Sequence, residues 1–203
     1  MAGAAVVAIV SANQSSAEGP EAVGSARKVM PKAGAHMPGR DRVLETGADV
    51  HRNEQLWTSA GGRLEIVLAD GSVVDLGENG RLMLDDFVLP QQSTGSLVLR
   101  SVSGALRFVG GAIDKAAPGS VKIVTPVATL VVRGTDFFAG PIDGAYGVFV
   151  FHGMVNVATS QGSVSLTDGQ GTTMKRSSDK PSPIKRWGAD KIARAEKLVG
   201  FQP

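Results

Sequence analysis

The sequence predicts an all-β domain of short strands, sandwich-like or irregularly solenoidal, followed by one short C-terminal helix. Three observations carry this reading. Apolar residues alternate with polar ones at period two through most of the chain, Gly-containing corners interrupt the alternation every 8 to 12 residues or so, and helical spacing surfaces only near the end. With 26 Gly and 10 Pro among 203 residues, 42% apolar and 5% aromatic positions, the composition suits a globular chain rich in tight turns and excludes disorder throughout.

Taken in order, Leu64, Ile66 and Leu68 alternate on one face before the Asp70-Gly71 corner, and Val74 and Leu76 follow. Glu78-Asn79-Gly80 turns the chain again and Leu82 and Leu84 resume the period, so the simplest reading is a two-strand ladder with a third neighbour. Seven further strands fit the pairs Leu97 and Leu99, Leu106 and Phe108, Val121 and Ile123, Leu130 and Val132, Val148 and Val150, Val155 and Val157, and Val164 and Leu166. Both a sandwich and an irregular solenoid satisfy this periodicity. Residues 174–187 read as a polar linker carrying two prolines. Residues 188–200 read as a short basic helix with Ile192, Ala195, Leu198 and Val199 at helical spacing, and Trp187 as an aromatic anchor at its start. That apolar stripe is expected to dock on the chain's own β-domain or a second copy, and capping an open end of the β-stack would protect strand edges.

Residues 1–17 read as an export signal or a disordered Ala-rich end. Ala2 to Val10 is a small and aliphatic run with Ser15 and Ala17 at the −3 and −1 positions of a cleavage site, although no Lys or Arg precedes the run. No later window reaches the ~20 apolar residues that span a bilayer. The net charge of +2 is too near neutral for a dedicated polyanion binder, so nucleic acid is not an expected partner. The balance is uneven, however: residues from Lys175 onward carry +5 and those before it −3, which leaves the basic tail a weak contact for an acidic surface.

The chemistry available is narrow. Without cysteine there is no disulfide, thiolate metal site or Cys nucleophile. His36, His51 and His152 lie far apart and none has a partner at a metal-ligand spacing, so neither metal nor cofactor is expected. No G-x-S-x-G elbow singles out a serine nucleophile. Asp70, Asp143 and Asp168 each precede Gly, as turn geometry favours. Asp85 and Asp86 are adjacent and point to opposite faces of a strand, which does not make an acid–base pair. Gly61-Gly62 and Gly110-Gly111 open no phosphate loop and read as bends. No catalytic residue emerges, and the chain is not expected to be an enzyme.

The segment from Val121 to Phe138 is more than generic β. Pro126 removes a ladder donor and should separate two strands, while Gly134 permits a bulge or corner where Arg133 ends an apolar run. Thr135 and Asp136 can hydrogen-bond the turned backbone. Arg133 is expected to be half-buried, clamping loop carbonyls or a carboxylate, with a place on a recognition surface as the alternative.

These residues resemble the FecR domain. The resemblance runs over roughly residues 22–173: an aliphatic strand, Asp70-Gly71-Ser72, Leu76-Gly77 and Leu82-x-Leu84-Asp85 come first, in the family's order. Thr125-Pro126-Val127-Ala128 follows, leading to Val132-Arg133-Gly134-Thr135-Asp136-Phe137, then Val148 to Val157 around Gly153, then Leu166-x-Asp168-Gly169. The Thr-Pro element paired with Arg-Gly-Thr-x-Phe is the most specific part. The resemblance implies a periplasmic, all-β, solenoid-like domain that binds protein partners and carries no catalytic residue. In the regulators of that family it receives a signal from an outer-membrane transporter and relays it through a membrane helix to a cytoplasmic anti-sigma segment. This sequence departs from that plan, with no membrane helix, no helical segment before the β-region and no α/β subdomain after it, which puts direct control of a sigma factor in doubt and leaves a role related to it. An exported module that binds proteins through strand edges in envelope sensing or signalling is the expectation, and the rival is a structural envelope protein contacting glycan or lipid through its basic tail.

Overall fold

Strands occupy most of the residues that the computed structural model describes, 21–89 and 95–201; the expected export segment lies outside them. In chain order they are β1 (Ala22–Met30), β2 (Ala33–Met37), β3 (Arg40–Leu44), β4 (Asp49–His51), β5 (Gln55–Thr58), β6 (Arg63–Leu68), β7 (Val73–Leu76), β8 (Arg81–Val88), β9 (Ser96–Ser103) and β10 (Leu106–Val109). A short helix α1 (Ala112–Ala116) precedes β11 (Val121–Val124), β12 (Thr129–Ile142), β13 (Ala145–Thr159), β14 (Gly162–Thr167), β15 (Gln170–Met174), β16 (Lys185–Arg186) and the closing helix α2 (Ala189–Val199).

The strands form one sheet with two arms. The first runs β3-β2-β5-β8-β9-β11 and the second β4-β1-β6-β7-β10. Both arms end on β12, whose first half pairs with β11 and whose second half pairs with β10. β13 pairs with β12 almost throughout. Beyond it, β14 extends the first arm from the C-terminal half of β13, and β15 and β16 extend the second from its N-terminal half. All ladders are antiparallel except β9 with β11. The chain therefore passes repeatedly from one arm to the other while advancing towards the long hairpin. It is solenoidal only in that loose sense, and the inward faces of both arms share one apolar core.

The apolar positions read from the alternation supply that core: Leu64, Ile66, Leu76, Leu82, Leu97, Leu99, Phe108, Ile123, Leu130 and Val157 are all fully buried. Two expectations need correction. β8 is not the third neighbour of the β6–β7 ladder, because the Glu78-Asn79-Gly80 turn carries the chain to the other arm, where β8 pairs with β5 and β9. Thr58 ties that crossover, its hydroxyl donating to the Gly77 carbonyl (2.6 Å) and accepting from the Gly80 amide (2.8 Å).

The second correction concerns Val148 with Val150 and Val155 with Val157, which are one 15-residue strand and not two. The inward set of β13 switches from even to odd numbers on passing Gly153, and that of β12 from Leu130 and Val132 to Phe137 and Ala139 on passing Gly134. Side chains alternate with period two, so a strand crossing from one arm to the other keeps its apolar residues in the shared core only by inserting an odd residue. The register of the β12–β13 pair shifts at that crossing, between Arg133 and Phe137.

Candidate functional site

The motif residues converge on this junction. Gly134 (φ +59°) and Gly153 (φ +89°) face one another in left-handed conformations, and a Cβ on Gly153 would lie 2.1 Å from the Gly134 carbonyl oxygen, so no other residue fits there. Between them the Thr135 hydroxyl accepts from the Arg133 amide (3.0 Å) and donates to the Met154 carbonyl (2.9 Å). The Thr135 amide is met by the buried Asp114 carboxylate of α1 (2.9 Å). Phe137 is fully buried with its ring 5.9 Å from Phe108. The Gly153 amide donates to Asp168 (2.7 Å), and the neighbouring His152 sits inside β13 opposite Asp136.

Asp70 and Ser72 form a second anchor nearby. The Asp70 carboxylate accepts from the Ser72 amide and hydroxyl (both 2.9 Å) and the Ile113 amide (3.3 Å), while the Ser72 hydroxyl accepts from the Gly111 amide (2.9 Å); Gly71 supplies the turn between them (φ +80°). Thr125 closes the turn over Pro126, its hydroxyl donating to the Ala128 carbonyl (2.8 Å) and accepting from the Ala128 amide (3.0 Å).

Two side chains depart from expectation. Arg133 is exposed on the outward face of the first arm and makes no side-chain hydrogen bond or ion pair among the described residues. The half-buried clamp is Arg107 of β10, which holds Asp136 in a bidentate pair (2.8 and 2.6 Å) under the Phe151 ring; Asp136 thus binds a side chain and not the turned backbone. Strand parity explains the exchange. Arg133 precedes the bulge and points out from the first arm, whereas Asp136 follows it and points out from the second, towards the neighbouring β10.

The outward face of the second arm carries a cross-strand row, Lys28–Glu65–Asp75–Arg107–Phe138–Phe149–Gly171, that grades from charged to aromatic. Trp187 stacks on Phe149 at 5.0 Å, and the absence of side chains at Gly147 and Gly171 gives its indole room. Helix α2 completes the cover, burying Ala195 and Val199 against Ala105, Phe138, Ile142 and Phe149, with Ile192 and Leu198 packed alongside. Arg194 and Lys191 pair with Asp143, and Arg63 donates to the Lys197 carbonyl. The helix therefore lies across the outer face of the second arm, not over an end of the stack. In the same row Asp75 is pushed up to about 6 by its burial and then by the charge of Glu65, and its Oδ1 is buried without a hydrogen-bond partner. The Arg27 guanidinium holds Glu65 below the usual carboxylate range.

The first arm has no such cover. Its outward positions hold Met83, Val98, Val102, Val131 and Met154 among Arg81, Arg100, Lys122 and Arg133, with Val102 43% and Met154 37% exposed. The open edges also differ. β3 presents Arg40, Asp41 and Arg42, and β4 and β16 have three and two residues. β14 is six residues long, pairs only with β13 and carries no charged side chain. Charge and shortness protect an edge from strand addition; β14 has neither device. The histidines stay apart, each beside a different carboxylate: Asp41, Glu54 and Asp168 for His36, His51 and His152. Among the described residues no group of three or more His, Asp or Glu could hold a metal ion, and no helix is long and apolar enough to cross a membrane.

The family model described as FecR protein matches residues 54–156, just over half of the chain, from the start of β5 to the far side of the junction. The chain belongs to the FecR protein family. Two crystal structures of a candidate anti-sigma factor from Parabacteroides distasonis share the fold of this FecR-family chain, with TM-scores of 0.55 and 0.54 at 18% and 17% identity. Each match covers 68% of this chain and 62% of the other, so the shared part is less than two thirds of those proteins' length. No curated protein sequence matches.

Proposed function

We propose that this FecR-family chain is an exported, non-enzymatic protein-binding module of the bacterial envelope, acting in signalling related to sigma-factor regulation. The observation that carries the reading is the uncharged, open edge of β14. An extended segment of a partner can add there as a further strand, with main-chain hydrogen bonds supplying affinity and neighbouring side chains selectivity. Family membership and the fold shared with a candidate anti-sigma factor support the signalling role. The motif residues around Gly134 and Gly153 serve this reading as the frame that holds β13, and with it β14, in place.

The test is capture by the tagged full chain from envelope extract at low and high salt, beside a Ser163→Lys/Ser165→Lys variant that places two cations on the edge. Salt-resistant capture of a transporter or membrane regulator, lost in the variant, supports the proposal. The same capture by the variant contradicts it. A second reading, glycan or lipid contact, rests on a groove of about 430 Å³ beside Trp187 lined by Thr172, Thr173, Lys185, Arg186 and Lys191. Charge-driven binding there falls steeply with ionic strength, and recovery of only salt-sensitive glycan or lipid would favour it.

A further inference from the structure

We propose that the bare outer face of the first arm seats an acidic amphipathic helix supplied by a partner protein. This rests on the reading of the chain as a protein-binding module and adds a second surface to the β14 edge.

The argument starts from the register. Across β8, β9, β11, β12 and β13 the outward residues form two adjacent rows, Met83–Arg100–Val124–Thr129–Ala158 and Asp86–Val98–Lys122–Val131–Asn156, with Arg133–Met154 beside them. Aliphatic side chains alternate with cations along the rows. Arg100 is neutralised by Asp85 (2.8 Å), and Asp86 accepts from the Ser96 hydroxyl (2.7 Å). Arg81, Lys122 and Arg133 are exposed and make no side-chain hydrogen bond or ion pair among the described residues. The face therefore offers apolar area plus three cations outside any ion pair against one such carboxylate, Asp86, so its balance is positive. What complements it is apolar in the middle and negative at the margins.

The molecule also shows what form suits such a face. On the second arm the same kind of outward surface is covered by α2, an amphipathic helix laid across β12 and β10 with Ala195 and Val199 against the sheet and Arg194 engaging a carboxylate at its flank. Five strands spaced about 4.8 Å apart give the first arm a face roughly 20 Å across, the length of a helix of about 13 residues. A helix on the first arm would repeat the arrangement with the charges reversed.

The test is fluorescence anisotropy of the full chain with a labelled designed helix of about 14 residues, Leu on one face and Glu on its flanks. Controls are the same helix with Lys for Glu and vesicles of phosphatidylglycerol. The proposal expects the Glu helix to bind at least about tenfold more tightly than the Lys helix, and an Arg81→Glu/Lys122→Glu/Arg133→Glu variant to lose at least about tenfold of that affinity. Because all three residues are exposed, this variant should keep the wild-type circular dichroism and melting temperature. Ser163→Lys/Ser165→Lys should keep its binding of the Glu helix, because Ser163 and Ser165 continue the two rows beyond Ala158 and Asn156 and added cations there do not oppose an acidic helix. Equal binding of the two helices, an undiminished affinity in the triple variant, or vesicle binding that competes with the helix would overturn the proposal. The module reading fails separately. If envelope capture is lost in the β14-edge variant but not in the charge-reversed one, only this surface is wrong; if neither variant changes capture, both readings fall.

Discussion

The two arms share a core and a hairpin yet treat their outer faces in opposite ways. The second arm exposes a cross-strand row that ends in Phe138 and Phe149, and the chain covers it with Trp187 and α2. The first arm leaves Val102 and Met154 exposed and Val98 and Val131 half-buried beside three unpaired cations. Large aromatic area left uncovered would cost stability and invite association, whereas dispersed valines and methionines flanked by charge remain soluble and available. The contrast places structural cover on one side of the molecule and the proposed contact surface on the other.

The largest expected effect comes from breaking the junction that lets the arms differ. Gly153→Ala puts a Cβ against the Gly134 carbonyl at a positive φ, and should cost at least about 3 kcal/mol by chemical denaturation; a loss below about 1 kcal/mol would mean that the hairpin tolerates another path between the arms. Next is removal of the cover. Trp187→Ala should cost about 2–3 kcal/mol, and deleting residues 188–203 should promote self-association, because Phe138, Ile142 and Phe149 become exposed. An unchanged mass in light scattering would argue against the covering role.

A smaller effect concerns Asp75, between Glu65 and Arg107 on the outward row of the second arm. Its folded value of about 6 lies above the ordinary 3.8, so the native state holds a proton that the unfolded chain has released. This group's contribution to stability is complete below about pH 4 and is lost as the pH rises through about 6. Asp75→Asn should therefore stabilise the chain by about 1–2 kcal/mol at pH 7.5 and by little at pH 3.5. An equal effect at both pH values would show that the carboxyl is not strained by burial. The smallest effect belongs to the first arm: Val131→Ser and Met154→Ser should each stay within about 0.5 kcal/mol of wild type, and a large loss would reveal a structural duty for the bare face.

Much of this was legible in the sequence. The alternating pairs mark the core strands, Pro126 and Gly134 mark their interruptions, and Ile192, Ala195, Leu198 and Val199 mark a docking helix. Pairing was less legible, since Glu78-Asn79-Gly80 looks the same whether it closes a hairpin or carries the chain to the other arm. The phase change at Gly153 disguised one long strand as two, because period-two reading stops at a bulge. β1 to β5 carry only a weak period-two signal, because Gly24, Gly34 and the charged Arg40-Asp41-Arg42 run interrupt their alternation. Arg133 drew attention by its place in a motif, but its orientation depends on which side of the bulge it stands, and that is set by tertiary register. The contact surface itself has no local signature: Met83, Val98, Lys122, Val131 and Met154 are neighbours only after four ladders have formed.

The central claim is that partners meet the first arm and leave the second to its own helix. Amide hydrogen exchange of the full chain, alone and with the partner captured from envelope, tests it most directly. The account predicts added protection in β14 and in the first-arm strands β9, β11 and the β12 segment 129–133, with none in α2. Protection confined to α2 and the β6–β7 ladder beneath it would contradict the account.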